Sequence, residues 1–482
     1  MKVLAMTPTS SRRLSALAIA IATLMLTGCA AVNIDQAVQD THLQTHGFTE
    51  GKLELSRTPA QQQARAKLSA ELLAEPLGMS QAVQLALCNS PAVQSLLAQS
   101  AMSLAQAGQN GRIANPVFTF ERIWAGSTLE IGRLLSFGLL DLLTLPQRQA
   151  IAQGQSAQAK VQLAADVVDQ LTQVRQSWIR AVSAKQSLQY AQQISTAAQA
   201  SAELAKRMQQ VGNFTKLQRA RQQVFYADAV ARLASAQHTA TATREDLTRQ
   251  LGLTDTQAAA LKLPERLADL PRTPQPLEAV NAIAPEQRLD VQIARNQLDI
   301  AGKSQGLALL NSLVDVELGI RRDTVFDNAQ GTRSTPRNGF ELGIRLPIFD
   351  WGNAQRSAMD ASAVAAANRY DSTVRNASSQ LRESYSAYRT AYDVARHYRD
   401  EIVPLRKAIS EENVLRYNGM LISVFELIAD NRDQISAVVA AINAYQQFWL
   451  ADAALSASIT GKPTGVMQAT ASAGVSGEAA GH

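Results

Sequence analysis

The sequence predicts a mainly α-helical chain with a small antiparallel β portion, built as a twofold internal repeat. Each half joins a pair of short strands to one very long helical hairpin. Three observations predict this. From Pro146 to Val211 no further proline occurs and the one glycine is Gly154; a helix over that stretch would run about 99 Å at 1.5 Å per residue. Four segments alternate apolar and polar residues with period two, the period of a strand. Finally, Ser90-Pro91-Ala92-Val93-Gln94 holds the same place in its half as Leu289-Asp290-Val291-Gln292. The pairs Pro91/Leu289 and Gly108/Gly306 keep a constant offset of 198, as an internal duplication would.

The chain opens on an export signal. Lys2, Arg12 and Arg13 precede an apolar run from Leu14 to Leu26, and Leu26-Thr27-Gly28-Cys29 follows. The run is short for a bilayer span and ends in small residues, so residues 1–28 read as a cleaved signal peptide. The formal charge is +5, but removing those three cations leaves 43 basic against 41 acidic residues. That near balance gives no support for nucleic-acid binding, which needs a concentrated basic face. With 46% hydrophobic and 5% aromatic residues, neither a fully disordered chain nor a polytopic helical membrane protein fits.

Residues 29–76 are polar, rich in Gln, Thr and Ala, and lack a sustained period, so they read as an extended tether or a loosely packed arm. A first repeat covers 77–263 and a second covers 277–463. Between them, Pro264, Pro271, Pro274 and Pro276 mark a linker over 264–276. The Gly/Ala/Ser-rich stretch 464–482 reads as a disordered tail.

The strands are expected at about 116–124, 128–137, 313–322 and 339–349. Val314, Val316, Leu318 and Ile320 face one way and Asp315, Glu317, Gly319 and Arg321 the other. Phe340, Leu342, Ile344, Leu346 and Ile348 likewise oppose Glu341, Gly343 and Arg345. Leu129, Ile131, Leu135 and Phe137 share their face with Arg133, and Phe118, Phe120 and Trp124 share theirs with Arg122. Strands of about ten residues with this alternation suit a membrane-spanning β-barrel, although a soluble sandwich edge carries the same pattern. The smallest membrane barrels have eight strands, so a barrel requires several chains. The first hairpin turns at Ala125-Gly126-Ser127, whereas the second is expected to carry a long polar loop over roughly Asp323 to Asn338. Trp124 and Trp351 fall near strand ends, at home in an aromatic girdle or in a core.

Long helices are expected over about 146–211 and 351–418, the second interrupted at Pro404, where proline kinks or breaks a helix. In the first, Val167, Leu171, Val174, Trp178, Ala181 and Leu188 follow a 4,3 spacing, the seam of a coiled coil. Return helices follow at about 214–251 and 421–460. Between them lie two turns, Val211-Gly212-Asn213-Phe214-Thr215 and Tyr417-Asn418-Gly419-Met420-Leu421-Ile422-Ser423. There Gly212 and Gly419 would supply left-handed caps, and Thr215 and Ser423 would cap the returning helices.

The enzyme signatures searched for are missing: the sequence contains no HExxH, CxxC or Walker pattern. His397 sits on a helix surface, and His42 and His46 could bind a metal weakly only if the arm were helical, so no metal site is expected. Cys88 reads as a small buried side chain.

Leu26-Thr27-Gly28-Cys29 resembles the lipobox of bacterial lipoproteins, which implies a diacylglycerol and an N-acyl lipid on Cys29 and no other cofactor. Cys88 is then the one free thiol, so no intramolecular disulfide can form. Over roughly Leu77 to Pro463 the chain resembles the TolC-like outer-membrane factors of Gram-negative tripartite exporters. The resemblance rests on Met79-Ser-Gln-Ala-Val-Gln-Leu-Ala-Leu87, Asn89-Ser90-Pro91, Leu346-Pro-Ile-Phe-Asp-Trp-Gly352 and both helical turns. The family turn is Tyr-x-x-Gly-x-x-Ser/Thr. Gly212 and Thr215 fit it with Gln209 in the Tyr place; Tyr417 and Ser423 fit, but Gly419 stands one residue early.

The resemblance implies a homotrimer whose strands close one twelve-stranded barrel in outer-membrane lipid, continued by a helical barrel through the periplasm. It implies a passive export conduit, not an enzyme, coupled through a periplasmic membrane-fusion adaptor to an inner-membrane pump of the resistance-nodulation-division type. Gly212, Thr215, Gly419 and Ser423 then mark adaptor-contact turns. Glu426 and Asp430 take the place of acidic gate residues, although both could equally be solvated helix charges. The alternative is a lipid-anchored periplasmic rod with a structural role.

Overall fold

The computed structural model describes residues 34–45, 48–49, 51–281, 287–313, 315–327, 333–346, 348–349 and 351–461. The expected export signal, Cys29 and the tail from 464 lie outside them. Helices α1 (Ile34–Gln44), α2 (Pro59–Leu72), α3 (Met79–Asn89) and α4 (Pro91–Asn110) precede strands β1 (Val117–Ala125) and β2 (Thr128–Gly138). A short α5 (Leu139–Leu143) leads into α6 (Leu145–Gln210), 66 residues long with Pro146 in its first turn, and α7 (Lys216–Leu251) returns from its far end. Helices α8 (Asp255–Ala260) and α9 (Leu277–Asn281) bridge to the second half: α10 (Leu289–Leu313), β3 (Asp315–Asp327), β4 (Arg333–Arg345), α11 (Asn353–His397), a π-helical turn (Tyr398–Ile402), α12 (Val403–Asn418) and α13 (Val424–Thr460). The fold is mainly helical, with one antiparallel sheet in the order β1-β2-β3-β4.

The returning helices α7 and α13 have 36 and 37 residues, and each is extended end to end by another helix of its own half. Helix α7 stops at Gly252, φ +66°, where an added Cβ would come within 2.3 Å of Pro91 Cδ and 2.8 Å of Ser90 Cα at the start of α4. Helix α13 stops at Gly461, φ +94°, where a Cβ would stand 2.6 Å from Leu289 N at the start of α10. Each position needs glycine twice over, for a left-handed backbone and for a close approach. With 20 residues in α4 and 25 in α10, each half becomes two columns of similar length. The two joints fall on the Pro91/Leu289 pair that marks the duplication in the sequence.

The hydrophobic core lies at the level of these joints. Val167, Leu171, Val174, Trp178 and Ala181 of α6 are buried as their spacing predicts. Their neighbours are α3 and the connecting segments, including Leu77, Leu85, Leu263 and Leu267, together with Leu251 beside the first joint. The Trp178 indole N–H donates to Leu77 O at 2.8 Å. The proline-rich linker is bound along its length: Tyr392 Oη donates to Pro271 O and Arg272 O, and Trp449 Nε1 to Ala268 O.

Three expectations are corrected. The arm is neither an extended tether nor loose, for Ala37, Val38, Thr41, Thr45, Phe48 and Leu53 are buried. Thr41 and Thr45 hydroxyls donate to carbonyls four residues back, which removes the cost of burying them. Pro404 does not break its helix. The π-helical turn just before it lets the Val403 N–H reach Tyr398 O five residues back, absorbing the hydrogen bond that proline cannot make. The polar stretch over Asp323 to Asn338 is mostly strand, with Asp323 opposite Arg337 and Thr324 opposite Pro336.

Near the joints, burial pushes the carboxyl of Asp452 on α13 up to about 6, with Arg175 pulling in the opposite direction. A carboxyl that holds its proton more tightly when folded loses stability as pH rises from its unfolded value near 4 through about 6. Thermal unfolding of the detergent-solubilised protein should therefore show a stability loss over that window, at most about 3 kcal/mol for two pH units, which Asp452→Asn removes. In the same assay at pH 7.5, Gly252→Ala and Gly461→Ala should each cost about 2–4 kcal/mol from backbone strain and overpacking. Gly302→Ala, where a Cβ meets nothing within 4 Å, should cost nothing; equal effects at all three sites would contradict the joint.

Candidate functional site

Two regions bear on function: the sheet at one end of the columns and, at the other, the two helical turns, which carry the predicted Gly212, Thr215, Gly419, Ser423, Glu426 and Asp430. In the sheet, cross-strand register sets one row as Phe118, Leu135, Ile320 and Phe340, and the next toward the helices as Phe137, Leu318 and Leu342. Phe118, Ile320, Phe340, Leu342, Ile344, Leu346 and Ile348 are exposed, as are Trp124 and Trp351. The opposite face carries Glu121, Glu130, Glu317, Arg321, Asp323 and Glu341, with Gly132 and Gly319 between them. There Arg321 Nε bonds Asp323 at 2.9 Å and its Nη2 reaches Glu121 at 3.3 Å. One face is therefore mainly apolar and exposed, the other carries the paired charges. Among the described residues neither edge strand, β1 nor β4, has a partner on its outer side, and such edges are templates for further strands.

At the other end the two turns share one backbone plan. Gly212 N donates to Gln209 O and Asn213 N to Met208 O; Met420 N donates to Tyr417 O and Leu421 N to Arg416 O. Thr215 caps α7 in a capping box with Gln218, and Ser423 caps α13 in the same way with Glu426. Equivalent residues differ by 208, so the partner of Gly212, φ +82°, is Met420, φ +60°. Gly419 does not supply the left-handed cap, because its φ is −81°. The second turn keeps the backbone geometry of the first and places a methionine where the first has glycine, which is how the early glycine is accommodated. Val211, Leu217, Leu415, Met420 and Leu421 are exposed around both turns, Met420 at 92%.

Glu426 is exposed and accepts from Ser423 N at 3.0 Å, so its carboxylate already closes the cap. Asp430, one turn further, is 9% exposed, and its Oδ2 has no hydrogen-bond partner among the described residues. Two neighbouring features were missed in the sequence. A cavity of about 440 Å³ opens between α6, α7 and α13. On its wall the Arg432 guanidinium lies 4.2 Å over the Phe225 ring. Desolvation pulls the Arg432 pKa below the usual guanidinium value, while Asp228 pushes back. A cation–aromatic pair across 207 positions leaves no local pattern to read. His42 Nδ1 meets Thr49 Oγ1 at 3.2 Å; His46 lies outside the described residues. Cys88 is buried, and burial raises its thiol pKa.

No family model matches the chain, and no curated protein does. Solved structures do. The Campylobacter jejuni CmeC outer membrane channel aligns with a TM-score of 0.66 at 14% identity, over 86% of this chain and 90% of that one. The Vibrio cholerae outer membrane protein VceC gives 0.65 at 15%, over 82% and 96%. The Neisseria gonorrhoeae MtrE outer membrane channel gives 0.62 at 17%, over 85% and 91%. The chain has the outer-membrane-factor fold. Its two helical turns end the α6/α7 and α12/α13 hairpins, duplicated in geometry and unequal in sequence.

The inequality is testable. Met420→Gly should relieve left-handed strain and stabilise the second turn by about 1 kcal/mol, whereas Gly419→Ala, whose Cβ has only ordinary contacts at 3.6 Å or more, should be near neutral. Thermal unfolding in detergent reads both; stabilisation by neither and damage by Gly419→Ala would contradict the assignment.

Proposed function

We propose that the chain is one protomer of a homotrimeric outer-membrane export channel, a passive conduit with no catalytic step. The observation that carries this reading is the two-faced sheet with open edges. Its bare apolar face suits lipid, its charged face suits a watery lumen, and four strands are too few to close a barrel alone. Three copies joined edge to edge supply twelve, and the columns extend the passage through the periplasm. The likeness in fold to proteins described as outer membrane channels supports the same reading.

Cys29, once acylated, anchors the mature chain in the outer membrane. The apolar tip formed by Val211, Leu217, Leu415, Met420 and Leu421 fits a periplasmic membrane-fusion adaptor, through which an inner-membrane pump of the resistance-nodulation-division type would drive transport. Glu426 and Asp430 form three-fold acidic rings at this end that favour cations and help hold the entrance shut. Glu426 does so while capping its helix, a double role in which Gln218 of the first turn has only the capping half.

The purified mature protein, beginning at an acylated Cys29, should run as a trimer and conduct ions in planar bilayers. Glu426→Gln with Asp430→Asn keeps the cap and removes the charge, and should lower the cation-over-anion permeability ratio several-fold. Unchanged selectivity would refute the gate. A water-soluble monomer without conductance would refute the channel and favour a periplasmic rod.

A further inference from the structure

The outward face of the sheet is apolar except for three arginines and, toward the hairpin tips, Thr324, Ser334 and Asn338; the arginines stand together. Arg133 on β2 is directly opposite Arg322 on β3, and Arg122 on β1 is opposite Ile131, one diagonal step from Arg133. All three are exposed. Every strand carboxylate whose side chain is described, from Glu121 to Glu341, falls on the other face of the sheet. Among the described residues no ion pair engages the three arginines. Arg122 lies 4.1 Å over the Trp124 ring, and Arg133 Nη1 reaches only Thr324 Oγ1, at 3.5 Å.

Like charges directly opposite on a sheet repel, and an arginine on a lipid-facing strand is costly at mid-bilayer and tolerated near the interface. The position of the cluster follows that rule. Apolar rows continue from Ile348 through Ile344 and Leu342 to Phe340 and Ile320 on the helix side, and the arginine rows begin two residues beyond Ile320, toward the hairpin tips. Guanidinium forks match phosphate oxygens bidentately, and an anion shared between Arg133 and Arg322 would convert their repulsion into attraction.

We propose that Arg122, Arg133 and Arg322 form a binding site for the phosphate of a lipid headgroup in the leaflet around the hairpin tips. This rests on the reading that the sheet lies in a membrane. The lipid, rather than free phosphate, is the occupant because the cluster borders the apolar face, where acyl chains would lie alongside Phe340 and Leu135. Three protomers repeat the site three times around the barrel.

The full mature protein is reconstituted into phosphatidylcholine vesicles containing a phosphorylated glycolipid such as diphosphoryl lipid A, or the same glycolipid after enzymatic dephosphorylation. It is then re-extracted, and retained glycolipid is counted by native mass spectrometry. Retention should be at least fivefold higher for the phosphorylated form, and Arg133→Gln with Arg322→Gln should abolish that preference while conductance persists. Arg133→Lys with Arg322→Lys should keep part of it. Equal retention by wild type and the Gln variant, with both conducting, overturns the site and leaves the channel standing. Displacement of the glycolipid by 10 mM inorganic phosphate overturns the lipid assignment. Failure of the wild type to insert overturns the membrane reading, and the site with it.

Discussion

The whole architecture depends on two places where one helix ends against the start of another without room for a single Cβ. At Gly252 and Gly461 a returning helix stops in a left-handed turn and hands its column to α4 or α10. A break of this kind exposes unpaired N–H and C=O groups at both helix ends, and the surroundings satisfy or cover them. Asn89 Nδ2 donates to Leu251 O and Gly252 O. At the second joint the buried Arg288 holds Asp290 at 2.8 Å and donates to Ala377 O. The core, the arm and the linker gather at this level because it is where the columns would otherwise come apart.

With cohesion concentrated in the middle, both ends are free to be specialised. The sheet end segregates its side chains by face, and this depends on register: a slip by one residue would turn Arg321, Asp323 and Glu121 outward and Phe340 and Ile320 inward. The tip end repeats one backbone plan with unequal residues, Gly212 against Met420 and Gln218 against Glu426. Duplication preserved the hydrogen bonds and let the side chains diverge, so charge and exposed apolar surface at the tip differ between the two hairpins.

Much of this was legible in the sequence where one residue type has one physical meaning. Pro146 and Gly212 bracket α6, which runs Leu145–Gln210, because proline suits a first helical turn and a left-handed glycine ends a last one. Alternation located β1 and β2, but β3 and β4 were under-read. A strand whose inward face is polar and whose tip leaves the apolar band has the composition of a loop, as Asp323 to Asn338 does. The arm was misread because Thr41 and Thr45 are buried with their hydroxyls bonded to their own helix, which no hydrophobic period reports. Gly419 misled because a glycine beside a left-handed position is indistinguishable in sequence from one that occupies it. The joints were visible only as a repeat offset, since their meaning lies in contacts across 161 and 172 positions.

Electron cryomicroscopy of the full mature protein, extracted in detergent without crosslinking, tests the central claim most directly. The account predicts a three-fold particle in which β1 of one protomer pairs with β4 of the next, closing one barrel of twelve strands, with α6 and α11–α12 continuous through the columns and the Gly252 and Gly461 joints at mid-height. A particle in which the four-stranded sheet stays open at its edges, or is covered by a segment of its own chain, would contradict it.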